Sequence, residues 1–188
     1  MIRKSTTMAV AAGALAMSAL VAPPAHAEER TCRGTLGAIT VDNFRVPQGA
    51  SCTLEGTKVK GTVKVESKAT LRAYKVRVVG NVQSEDARRV VVRGSSIGGS
   101  IQHVQGGSGV VNRNQVTGDV QMFSNAGEIT INRNRINGNL QCKSNSPAPT
   151  GGGNIVGGNN EDQCRSLRSG DALTARWGQL GTARLGFR

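Results

Sequence analysis

The chain has 188 residues, with 24 Lys and Arg against 12 Asp and Glu, a formal net charge of +12. Only 3% of it is aromatic, which weighs against recognition of single-stranded nucleic acid by base stacking. The charge favours anionic partners instead.

The first 27 residues read as a cleaved export signal. Arg3 and Lys4 precede an apolar run from Met8 to Val21, Pro23 and Pro24 break it, and Ala25-His26-Ala27 has the small-x-small pattern of a cleavage site. The run is shorter than the ~20 residues a membrane span needs, and no later segment is apolar enough to be a span. A secreted, extracellular and wall-associated protein is expected. Without Arg3 and Lys4, 22 basic residues face 12 acidic ones, a net charge of +10. Residues 28–41 read as an N-terminal cap segment.

From Asp42 a unit of 19 or 20 residues recurs. Its register marker is Gly, a small polar residue, an aliphatic and usually Gln: Gly80-Asn81-Val82-Gln83, Gly99-Ser100-Ile101-Gln102, Gly118-Asp119-Val120-Gln121 and Gly138-Asn139-Leu140-Gln141. Gly61-Thr62-Val63-Lys64 is a looser copy. A fixed period of this size predicts a solenoid. Aligning the units gives aliphatic columns with polar neighbours, the period-2 pattern of half-buried strands. One column is Phe44, Val63, Val82, Ile101, Val120 and Leu140; another is Val59, Val78, Ile97, Val116, Ile136 and Val156. Three apolar runs per unit predict three short strands and a triangular cross-section. The expected fold is an all-β, single-stranded parallel β-helix over residues 42–157, of about six coils and right-handed. Residues 158–164 are expected to close it as a C-terminal disulfide cap, followed by a basic, disordered tail over 165–188.

Four cysteines fall in this body. Cys52 and Cys142 lie about five coils apart, roughly 24 Å at the spacing of β-strands, far beyond the ~7 Å reach of a disulfide. Cys32–Cys52 and Cys142–Cys164 are the pairs expected in an oxidising compartment. With no CxxC pair and His103 the only histidine after residue 27, no zinc site, other metal or cofactor is expected.

Polar columns run beside the apolar ones. Ser95, Asn114, Asn134 and Asn154 mark a turn in which Asn tolerates left-handed backbone. Gln83, Gln102, Gln121 and Gln141 form a second column. Both are expected to be structural ladders of side-chain amides. Gly106-Gly107-Ser108-Gly109 and Gly151-Gly152-Gly153 read as flexible turns.

The stretch from Gly138 to Cys164, GNLQCKSNSPAPTGGGNIVGGNNEDQC, and the cap-like VPQGASCTLEGTKVKG from Val46 to Gly61 resemble the ends of small secreted bacterial proteins of the right-handed parallel β-helix repeat class. The resemblance spans roughly Cys32 to Cys164. It implies fold and export, and brings no catalytic residues with it.

Three candidate sites stand out. Glu66 and Glu85 occupy one column of adjacent coils, ~4.8 Å apart, near the separation of a retaining glycosidase pair. Lys64, Lys68, Arg88 and Arg89 surround them, so surface ion pairing is the competing expectation, and no long loop or aromatic platform builds a sugar cleft. His103 follows apolar column members and reads as a packed core histidine with no Ser or Cys nucleophile beside it. Lys58, Lys75, Arg77, Arg113, Arg133 and Arg135 flank an inward column and are expected to project outward from one strand face as a discontinuous basic stripe. These features predict a non-enzymatic protein with a structural or adhesive role, binding an anionic cell-envelope polymer or acidic polysaccharide through the stripe and not nucleic acid. The alternatives are a small polysaccharide lyase or glycosidase using Glu66 and Glu85, and weak end-to-end self-association.

Overall fold

The structure, a computed structural model, describes residues 29–167. The expected export signal and the chain beyond residue 167 lie outside the described residues. The described chain is a parallel β-solenoid of about seven turns, with three sheets as its walls. Sheet A holds eight strands, from Glu29–Thr31 to Asn160–Asp162. Sheet B holds seven, from Gly34–Leu36 to Thr150–Gly152, and sheet C seven two-residue strands, from Thr40–Val41 to Ile155–Val156. The only helical piece among the described residues is a single 3-10 turn, Arg165–Leu167. No helix among the described residues is long and apolar enough to cross a membrane.

The turn count differs from the expected six because residues 29–41 supply a strand to every sheet. That first turn is not aligned by the repeat because it lacks the marker. Its strands are mostly exposed and polar, as a terminal repeat with one uncovered face must be. At the other end, Asn160–Asp162 adds a further strand to sheet A before the disulfide closes. The expected tail also begins inside the body: Leu167 is buried, and its carbonyl accepts from Asn154 Nδ2 at 2.7 Å. Without that turn the lower face of the last coil would leave polar donors unsatisfied.

The aliphatic columns fill the interior as aligned. Phe44 pairs with Val63, Val63 with Val82, Val82 with Ile101, Ile101 with Val120 and Val120 with Leu140, and all six are buried. Each fully buried aliphatic contributes ~1.5–3 kcal/mol, and like stacks on like because the coils are in register. Both expected disulfides are present, with Cα separations of 5.8 Å for Cys32–Cys52 and 5.3 Å for Cys142–Cys164.

Each corner is held by a polar ladder. Between sheets C and A, the small polar residue of the marker bonds to the next coil: Asn81 Oδ1 accepts from Ser100 N at 2.8 Å, Ser100 Oγ from Asp119 N at 3.0 Å and Asp119 Oδ1 from Asn139 N at 2.6 Å. The marker glycine precedes it because a Cβ on Gly99 would stand 2.1 Å from Asn81 Oδ1. Between sheets B and C runs the expected asparagine column. Asn114 Nδ2 donates to Asn134 Oδ1 at 3.1 Å and Asn134 Nδ2 to Asn154 Oδ1 at 2.9 Å, all three residues being buried. The left-handed backbone expected at these asparagines falls instead one residue earlier, on Lys75, Gly94, Arg113, Arg133 and Gly153. The asparagine must point inward to bond, so the preceding residue makes the bend. A further ladder between sheets A and B, Gly106 N to Asn125 Oδ1 and Asn125 Nδ2 to Asn145 Oδ1, each at 2.9 Å, is not evident in the sequence columns.

Candidate functional site

The basic residues are all exposed, but they do not share one strand face. Lys58 pairs with Arg77, Arg77 with Ser96, Ser96 with Gln115 and Gln115 with Arg135 along sheet C. Lys75, Arg113 and Arg133 lie in the corner before sheet C, with φ of 53°, 55° and 53°. Gly94 and Ser96 interrupt both columns. The stripe therefore resolves into two groups: Lys58, Lys75 and Arg77 toward the N-terminal end, and Arg113, Arg133 and Arg135 toward the C-terminal end. In the same corner other coils use Gly56, Gly94 and Gly153 for the left-handed residue. Placing Lys or Arg there costs about 1–2 kcal/mol each.

Among the described residues the ion pairs are Arg45–Glu29 at 2.9 Å, Arg45–Glu66 at 3.2 Å and Lys60–Asp42 at 2.9 Å. None involves the stripe. Nor does any involve Lys64, Lys68, Arg88 or Arg89, the expected partners of the two glutamates. Glu66 is instead held by the preceding coil, where it accepts from Gln48 N at 2.9 Å and from Arg45. That backbone hydrogen bond, then the Arg45 guanidinium, hold its carboxyl below the ordinary carboxylate range. Glu85 is exposed and lies one coil away, since Ser84 pairs with Val65. Both line an open depression of about 750 Å³ on the sheet A side, with Lys64, Gln83 and Asp86. A carboxylate kept ionised by two donors suits electrostatic work better than proton donation.

His103 is a buried core histidine, as expected. A serine does stand beside it, contrary to the sequence reading. Ser84 and His103 share a column in adjacent coils, and Ser84 Oγ lies 2.8 Å from His103 Nδ1. Burial lowers the histidine pKa. The neutral ring then donates from Nε2 to Gly107 O at 3.3 Å and accepts the Ser84 hydroxyl at Nδ1. Ser84 is also buried, and its hydroxyl lies 3.1 Å from Gln102 O as well. The glycine run Gly106 to Gly109, expected to be a flexible turn, makes room for the ring. A Cβ on Gly106 would sit 2.3 Å from His103 Cε1, and Gly109 lies in a sheet B strand facing the ring. Gly151 and Gly152 likewise end a sheet B strand.

The glutamine column is the structural ladder expected. Gln83 Nε2 donates to Gln102 Oε1 at 3.1 Å, Gln102 to Gln121 at 2.6 Å and Gln121 to Gln141 at 2.8 Å. Glu161 ends it, accepting from Gln141 at 2.8 Å. The described residues contain no group of three or more His, Cys, Asp or Glu able to hold a metal.

The sequence reading missed a basic group on the outer face of sheet B. Leu71, Ala73, Val90 and Val92 are buried, so their strand neighbours Arg72, Tyr74, Arg89, Val91 and Arg93 face outward. Lining up the outward positions, rather than the apolar ones, would have found it. In comparisons with protein-family models, curated proteins and solved structures, no match was found; the resemblance drawn from the two terminal stretches stands for the parallel β-solenoid alone.

Proposed function

We propose that the protein is an exported, non-enzymatic β-solenoid that adheres to an anionic polymer of the cell exterior, an acidic polysaccharide or envelope polymer, through its basic surface. The observation that carries this reading is the absence of acidic partners. The stripe residues Lys58, Lys75, Arg77, Arg113, Arg133 and Arg135 are exposed, and no ion pair among the described residues includes them. Three of them occupy left-handed positions that glycine fills more cheaply in neighbouring coils. Charges placed only for solubility would be mixed in sign and would sit where the backbone is relaxed. The two disulfides suit an oxidising exterior.

The test is binding of the chain from Glu28 onward to polygalacturonate and to neutral dextran, across about 20 to 500 mM salt. The expected result is binding to the polyanion alone, weakening steadily as salt rises. Binding to neither polymer, or equally to both, overturns the reading.

A further inference from the structure

A further concentration of unpaired positive charge lies outside the stripe. On the outer face of sheet B, Val91 pairs with Arg72 in one neighbouring strand and with Val110 in the other. Arg89 and Arg93 flank Val91 on its own strand and point the same way. Strand spacing and rise put Arg72 roughly 8 Å diagonally from each of them. Val91 faces outward yet is only 3% exposed. Its same-strand and in-register neighbours on that face are these three arginines and Val110, and long arginine stems can cover such a residue while their charged heads stay at the rim. All three arginines are exposed. None takes part in an ion pair among the described residues, and Arg89 bonds only to a neutral partner, Ser108 Oγ at 3.2 Å.

Acidic residues are few on this face. Asp42 and Glu66 have their cations, and Glu85 and Asp86 lie on the sheet A side. The acidic residues in the outward columns of sheet B are Glu55, separated from Arg93 by the Tyr74 strand, and Glu128, separated from Arg89 by the Ser108 strand. Each is roughly 10 Å from that arginine, and Glu55 is roughly 8 Å diagonally from Arg72. Lys75 and Arg77 continue the positive surface around the corner from Arg72.

One more residue narrows the ligand. The single tyrosine of the chain, Tyr74, follows Arg72 by two positions and pairs with Arg93. It is half-buried and outward. An aromatic face beside guanidinium groups offers a flat apolar surface to a sugar ring, while the guanidiniums form paired hydrogen bonds to carboxylates. A simple phosphate chain would have no use for the ring.

We propose that Arg72, Arg89 and Arg93, with Tyr74, form the seat on which a carboxylated polysaccharide docks. This rests on the polyanion reading above and names its site and ligand class. The test compares two triple variants that remove equal charge, Arg72→Gln/Arg89→Gln/Arg93→Gln and, at exposed positions outside both the stripe and the seat, Arg30→Gln/Arg33→Gln/Lys143→Gln, in polygalacturonate binding at fixed salt. Glutamine keeps much of each stem over Val91, and an unchanged melting temperature certifies the fold. The sheet B variant should lose about tenfold or more in affinity and the other less than about threefold. Tyr74→Ala should cost a further fewfold. Equal losses in the two triples overturn the seat while leaving the polyanion reading intact. Failure of the unaltered chain to bind polygalacturonate overturns both. A Tyr74→Ala chain that binds as before removes the sugar ring from the assignment.

Discussion

His103 shows how one residue is tuned by the stack. Its ring replaces an aliphatic member of a buried column, and Gly106 and Gly109 thin the opposite walls to admit it. Burial disfavours its charged form. The unfolded chain therefore takes up the proton first, and His103 contributes full stability above the ordinary histidine pKa near 6.5. That contribution is lost as pH falls through the depressed folded value. Glu66, whose pKa is also lowered, contributes above the ordinary carboxylate range and loses its contribution at more acidic pH. The two windows are separable. Between about pH 7 and pH 5, the melting temperature of the native chain should fall more than that of His103→Gln. Parallel curves would show that His103 is not the titrating group.

At the level of elements, the corners are held by side chains that bond along the solenoid axis. Asn134 accepts from both Asn114 N at 3.0 Å and Asn114 Nδ2 at 3.1 Å, and donates to Val111 O at 2.9 Å. Asn134→Ala leaves those buried groups unsatisfied. Urea denaturation should show a loss of roughly 2–4 kcal/mol. Asn137→Ala, at an exposed position of the same coil, should change stability by less than about 0.5 kcal/mol. Similar effects from both would mean that the ladder carries no special share. The ladder also explains why the left-handed position sits beside the asparagine, which has the consequence of turning Lys75, Arg113 and Arg133 outward at the corner.

Across the whole molecule each coil contacts its neighbours, so the two end coils have half the support of the rest. The disulfides tie down these ends, closing loops with sequence separations of 20 and 22 residues. Each contributes about 3 kcal/mol on the loop-entropy view. Cys142→Ser/Cys164→Ser should speed hydrogen exchange first in Leu140–Lys143 and Asn160–Asp162 and leave Arg89–Arg93 protected. Uniform acceleration along the chain would show a single cooperative unit instead. Charge is likewise organised at this scale. The outward arginines Arg72, Arg89 and Arg93 come together on sheet B, an arrangement visible once residues 17 to 21 apart in sequence are laid side by side.

Much of the fold was legible in the sequence because a solenoid repeats the same local decision. The marker, the inward columns and the cysteine spacing each state a register, and parallel pairing obeys it coil after coil. The first turn was not legible, since residues 29–41 carry no marker and are shaped by the coil they cover. The Asn125–Asn145 ladder was hidden because Gly106 and Gln163 break the column's chemistry at its two ends. Ser84 beside His103 follows from the register, yet only packing shows both buried and only hydrogen bonding shows their contact. The partner of Glu66 also lay out of sight: Arg45 reaches it across a coil at 3.2 Å, whereas Lys64 and Lys68, near in sequence, form no ion pair with it among the described residues. The sequence by itself determined the period, the interior and the disulfides, because burial acts on every coil alike. Tertiary structure alone decided which exposed charges meet, because outward side chains are constrained only by neighbours that the fold brings together.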